Sequence, residues 1–159
     1  MPSSVNISII NPTSSVFQVF SNISIKAGTI AVFACHSPNS NPEAEITWSK
    51  DSYPITFGSN ELQNISRKYI NNKEYETISY IAYEITSSDH MKEIRCDVKV
   101  GNIPRTMHGS LTLDVKFLPE IIKYPQSIID IKENETFTLN LTSRANPAPT
   151  YKCSALNVN

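Results

Sequence analysis

The sequence predicts an all-β protein, an antiparallel β-sandwich followed by an incomplete second one, and three observations carry that expectation. Apolar and polar residues alternate in short runs, as in strands buried on one face. Turns rich in proline and asparagine separate those runs. Cys35, Trp48 and Cys96 stand in that order, each inside such a run. A chain of 159 residues exceeds one sandwich of about 100 residues and falls short of two, so an unequal division is expected, with the first module over 1–118 and the start of a second over 119–159.

Val5 to Ile10 and Val16 to Phe20 are β-prone stretches separated by Asn11-Pro12-Thr13-Ser14-Ser15, an edge strand broken by a turn. Thr29 to His36 reads as the second strand, with Ala31, Phe33 and Cys35 in one phase and Ile30, Val32 and Ala34 in the other. Ser37 to Pro42 reads as a loop. Ala44 to Ser49 follows as a strand that turns Ile46 and Trp48 inward. From Asp51 to Lys73 the pattern weakens, with Tyr53 to Phe57 the best strand candidate. Glu76 to Thr86 is a long β-former in which Ile78, Tyr80 and Ala82 share a phase while Tyr83 and Ile85 take the other, which suggests a bulge or an exposed tyrosine.

Ile94 to Val100 alternates cleanly, with Ile94, Cys96, Val98 and Val100 inward. Gly101 to Gly109 makes a connection, and Leu111, Leu113, Val115 and Phe117 supply the last strand, which Pro119 should end. In the second module, Ser127 to Ile131 reads as an opening strand and Glu133-Asn134-Glu135 as a turn. Thr136 to Thr142 follows as a strand with Phe137, Leu139 and Leu141 in phase, then a proline-set connection over Ala145 to Tyr151, and a further strand from Tyr151 to Leu156. A half sandwich cannot bury both inner faces, so this portion is expected to be unstable alone or to belong to a longer polypeptide.

The order Cys35, Trp48, Cys96 fits an immunoglobulin-type sandwich. With Ala44-Glu45-Ile46-Thr47-Trp48, Ser88-Asp89-His90, Ile94-Arg95-Cys96 and Leu111 to Pro119, it resembles the constant-like immunoglobulin domains of cell-surface adhesion receptors. In particular it resembles the second domain of nectin-like, nephrin-like or sidestep-like proteins. The resemblance covers about Ile25 to Glu120. It implies a Cys35–Cys96 disulfide across the core, packed on Trp48, and a chain that spans or decorates the plasma membrane. Many such domains carry a tyrosine two residues before the second cysteine, where this chain has Ile94, so the variable-type assignment loses weight. A rival reading keeps Cys35 and Cys96 as free buried thiols in an intracellular sandwich of the muscle-protein type. Aligned on Pro147, the second module has Leu141 and Cys153 where the bridge cysteine and the core tryptophan would stand.

A core disulfide points to an oxidising compartment. Met1 to Ser4 lacks the features of a secretion leader and no run approaches a membrane span, so the sequence reads as an excerpt of a longer ectodomain, or else the argument from the disulfide fails. Five acceptor motifs favour the first option, with Asn6, Asn22, Asn64, Asn134 and Asn140 as glycosylation candidates.

Net charge −1, without any basic block, argues against a nucleic-acid partner. His36, His90 and His108 make no metal-ligand spacing, and no phosphate loop, nucleophile elbow or supported carboxylate pair appears, so neither an enzyme, a cofactor, a metal nor a small-molecule substrate is expected. The function expected is an extracellular adhesion or recognition module that binds another protein ectodomain, homophilically or heterophilically. Tyr83, Ile103, Pro104, Arg105 and Met107 are the candidate protein contacts, because aromatic, methionine and arginine side chains anchor interfaces. The alternative is a structural spacer without direct ligand contact.

Overall fold

A computed structural model describes residues 6–11, 14–19, 22–56, 62–71, 73–123 and 132–154. The chain divides into two compact units, Met1–Val115 and Lys116–Asn159.

In the first unit two antiparallel sheets face each other. One has the strand order β2-β1-β4-β8-β7, built from β1 (Asn6–Asn11), β2 (Ser14–Val19), β4 (Ile30–Ser40), β7 (Leu62–Asn71) and β8 (Glu74–Glu84). The other runs β10-β9-β5-β6, from β5 (Ala44–Lys50), β6 (Tyr53–Pro54), β9 (Glu93–Val100) and β10 (Met107–Lys123), and β3 (Asn22–Lys26) also pairs with β10. The opening segment therefore contributes to both sheets, β1 to the first and β3 to the second. The all-β immunoglobulin-like sandwich is the architecture the alternating runs led one to expect.

The core takes the inward phase of each strand. Ala31, Phe33 and Cys35 come from β4, Ile46 and Trp48 from β5, Ile94, Cys96, Val98 and Val100 from β9, and Leu111, Leu113 and Val115 from β10, all buried. Cys35 and Cys96 are disulfide-bonded across the two sheets, with Cα atoms 6.3 Å apart. Closing a 61-residue separation stabilises the fold by about 4 kcal/mol in the chain-entropy account.

Strand β8 reverses the phase expected for it. Its inward residues are Thr77, Ser79, Ile81 and Tyr83, continuing to Ile85, whereas Ile78, Tyr80 and Ala82 are only part-buried on the outward side. No bulge interrupts its register with β4 from Ile30↔Glu84 to Ser37↔Thr77. The pattern misleads because the core here accepts small hydroxylated side chains. The Nε1–H of Trp48 donates to Ser79 Oγ at 3.0 Å, and a larger apolar residue at 79 would leave that buried donor unpaired.

Other differences have equally local causes. Residues 37–40, expected as loop, extend β4, and a register shift between Ser37 and Ser40 absorbs Pro38 and Asn39, the latter at φ 48°. Strand β7 carries no clear signal in the sequence because Leu62 to Asn71 is a largely polar edge strand without clean alternation. Of the Tyr53 to Phe57 run only Tyr53–Pro54 is strand, and Phe57 lies outside the described residues.

Pro119 does not end β10, which continues to Lys123. In the second unit this part of β10 pairs with β11 (Thr142–Asn146), Phe117↔Asn146 and Glu120↔Arg144, with a register shift between them. Leu118 and Pro119 fall in that shift, so the missing proline N–H leaves no ladder bond unmade. Arg144 Nη2 donates to Glu120 Oε2 at 2.7 Å and its guanidinium lies 5.3 Å from the Phe117 ring centre. Of the strand expected over 136–142 only Thr142 is strand, as the first residue of β11. Phe137 and Leu139 are 43% and 48% exposed, and alternation does not make a strand where, among the described residues, no neighbouring strand takes up the backbone groups. The turn at Glu133-Asn134 is present, residues 151–154 are not strand, and the strand expected over 127–131 lies outside the described residues, as do Ala155 and Leu156.

Candidate interaction surface

Backbone geometry holds the loop between β9 and β10 in place. Gly101 leaves β9 at φ +52°, and a Cβ there would meet Pro42 Cγ at 3.1 Å, so any other residue would be strained and would crowd the loop preceding β5. Ile103 N–H then donates to Val100 C=O at 3.2 Å, closing a turn, and Met107 re-enters the ladder opposite Val98. Between these anchors Pro104, Arg105 and Thr106 are exposed, with Ile103 and Met107 part-buried at the ends. The result is a short loop with fixed ends and open side chains, a form that suits recognition.

Next to it lies the outward face of β5, β9 and β10. Its register rows set Glu45 opposite Lys99, Thr47 opposite Asp97, and Ser49 opposite Arg95, with His108 and Ser110 continuing the last two rows. Arg95 grips Asp97 two residues along the same strand, Nη2 to Oδ1 at 2.7 Å and Nε to the same carboxylate at 3.0 and 3.2 Å. The Asp97 hydrogen bonds hold the Arg95 guanidinium above its ordinary pKa, more than the slight burial lowers it. A shallow cavity there is lined by Thr47, Trp48, Ser49, Pro54, Arg95 and Asp97. Tyr53, 78% exposed, stands on β6 beside β5. Neither Tyr53 nor the Arg95–Asp97 pair was singled out from sequence, although Tyr53 opens a recognised β-prone run and Arg95 and Asp97 share the outward phase of β9.

Tyr83 does not belong to this surface. It is 7% exposed, its ring stacks on Phe33 with centres 5.6 Å apart, and Lys50 Nζ sits 5.1 Å from the ring centre. The residue that breaks the expected phase is a core residue and not the protein contact expected of it.

At the opposite end of β5, the turn holding Ser88-Asp89-His90 is structural. Thr86 N–H and Oγ both donate to Asp89 Oδ2 at 2.9 Å, and Lys50 Nζ donates to Oδ1 at 2.9 Å. Burial pushes the Asp89 carboxyl up, but the hydrogen bonds from Lys50 and Thr86 outweigh it, so its pKa falls below the ordinary value. His90 Nδ1 accepts the Val115 N–H at 3.1 Å, and His36 Nε2 lies 2.8 Å from Glu76 Oε1. No group of three or more metal-ligating side chains occurs among the described residues.

Of the acceptor asparagines, Asn6 is exposed on β1, Asn22 opens β3, Asn64 lies within β7, and Asn134 and Asn140 are exposed in the second unit. Cys153 is an exposed free thiol. Among the described residues no helix is long and apolar enough to cross a membrane.

A sequence profile of the CD80-like C2-set immunoglobulin domain matches residues 14–105. The crystal structure of Rst D1-D2 is similar, with a TM-score of 0.56 and 16% identity over 72% of this chain and 49% of that one. The chain thus spans about half the length of this neighbour, and at such identity the likeness concerns the fold alone. Comparison with curated proteins finds no match.

Proposed function

The chain belongs to the CD80-like C2-set immunoglobulin domain family, and on that premise we propose that it is an extracellular recognition module that binds another protein ectodomain through the loop Ile103 to Met107 and the adjoining outward face of β5, β9 and β10. Domains of this family are typical of extracellular and cell-surface proteins, their fold is typically non-enzymatic, and protein–protein interaction is their general use. The finer reading is an adhesion receptor at the plasma membrane, with the second unit as the beginning of another sandwich. The likeness in sequence to nectin-like, nephrin-like or sidestep-like receptors supports it.

One observation carries the choice of surface. The loop is anchored at Gly101, Ile103 and Met107 while Pro104 and Arg105 stay open, so binding there costs little ordering of the backbone. The spacer reading draws on a different one: on the adjoining face Arg95 and Asp97 satisfy each other's charge, so neither needs an outside partner. The two are separated by presenting the glycosylated chain to a panel of immunoglobulin-type ectodomains that includes the chain itself. Binding that is lost at least tenfold in Arg105→Ala and Ile103→Ala supports recognition through the loop. Binding unaltered by those changes, or no binding across the panel, supports the spacer.

A further inference from the structure

The outward face of the β2-β1-β4-β8-β7 sheet is unlike the polar face just described. Register sets Val32 against Ala82, Ala34 against Tyr80 and His36 against Ile78, and directly paired residues share a face. Val32, Ile78, Tyr80 and Ala82 are part-buried there and Ile30, paired with Glu84, is 68% exposed. Ala34 at the middle of this stretch is buried and the His36–Glu76 pair borders it, so the open apolar surface is Ile30 with the edges of Val32, Ile78, Tyr80 and Ala82, a surface that a secreted module shields from water. Two of the five acceptor motifs occupy its flanks. Asn6, exposed, pairs with His36 on the β1 side, and Asn64 pairs with Tyr80 on the β7 side.

We propose that Asn6 and Asn64 are modification sites carrying N-linked oligosaccharides that cover this apolar face, with the sugar at position 64 lying across Tyr80. The inference rests on the extracellular reading above and adds a division of labour to it: one sheet is sheathed in sugar and the other stays open for protein. Residues paired across strands have Cβ atoms about 4.5–5.5 Å apart, so the first sugar of a chain at position 64 is within reach of the tyrosine ring. The apolar C–H face of a hexose matches an aromatic ring while its hydroxyls turn to water, which makes the surface soluble without a protein partner.

The donor is a lipid-pyrophosphate-linked oligosaccharide. The asparagine amide nitrogen forms a bond to the anomeric carbon of the first N-acetylglucosamine. The bond from that carbon to the phosphate oxygen breaks, the lipid pyrophosphate leaves with the electron pair, and the amide proton passes to a base. Nothing is oxidised or reduced.

The test uses the full chain, secreted behind a leader from glycosylating cells. Digestion with an amidase that cleaves the asparagine–sugar bond, followed by peptide mass mapping, reads occupancy as conversion of asparagine to aspartate. Both positions 6 and 64 should convert, and the glycoprotein should elute as a monomer. Asn6→Gln with Asn64→Gln should shift elution to dimer or larger and raise binding of an apolar dye, and Asn6→Gln with Ser66→Ala should do the same with residue 64 intact. Should these variants not be secreted, amidase removal of the whole oligosaccharide from the folded glycoprotein replaces them, with the same shift expected. A bare asparagine at either position, or sugar-depleted protein that stays monomeric without added dye binding, overturns the proposal. Ectodomain binding is scored separately, so failure of the loop reading leaves this result standing.

Discussion

The indole of Trp48 donates to Ser79 across the sandwich at 3.0 Å, and this bond runs beside the disulfide between their ladder neighbours. Cys35 is paired with Ser79 in one sheet, and Cys96 with Trp48 in the other. The same two cross-strand pairs are thus joined twice, once by sulfur and once by a hydrogen bond. A buried N–H that has lost its acceptor costs more than the bond contributes when made. The polar residue in the core phase of β8 is therefore a requirement set by the tryptophan.

Ser79→Ala should destabilise the first unit by about 1–3 kcal/mol, read as a lower denaturant midpoint with unchanged slope. In a Trp48→Phe background, where no N–H remains, the same change should cost much less. A double-mutant cycle measures the difference.

Acid should loosen the turn at Asp89. Its carboxyl titrates below 3.8 in the folded chain, so its contribution is fully present above that ordinary value and is lost as pH falls through the folded one. Asp89→Asn should flatten the stability profile in that window. Lys50→Met should lower stability at neutral pH by about 1–3 kcal/mol, toward the lower figure because the lysine is partly open to water. Denaturation series at stepped pH check both.

Gly101→Ala should cost about 1–3 kcal/mol, because alanine is strained at φ +52° and its Cβ would press on Pro42 at 3.1 Å. The same variant should loosen the Ile103 to Met107 loop. Hydrogen exchange at Ile103, whose N–H is bonded to Val100, should quicken.

Strands whose inward residues are large and apolar were legible in the sequence. Ile94, Cys96, Val98 and Val100 announced β9, and Leu111, Leu113 and Val115 announced β10. Where the core takes hydroxyls, as at Thr77 and Ser79, hydrophobic phase pointed the wrong way and put Tyr83 on the surface. Polar edge strand β7 carries its pairing in the backbone, which composition does not reveal. Phe137 and Leu139 show the converse, alternation without a partner strand among the described residues. Of the candidate surface, the loop from Ile103 to Met107 could be read because glycine and proline mark it. The grip of Arg95 on Asp97 depends on a face that only the register defines.

The clasp between the sheets underlies the architecture and the extracellular reading. Its most direct measurement is a nonreducing peptide map of the folded, secreted chain. The account predicts one linked peptide joining Cys35 to Cys96, with Cys153 alone reactive to alkylation before unfolding. Alkylation of both Cys35 and Cys96 after unfolding without reductant, or a bridge from either to Cys153, would contradict it.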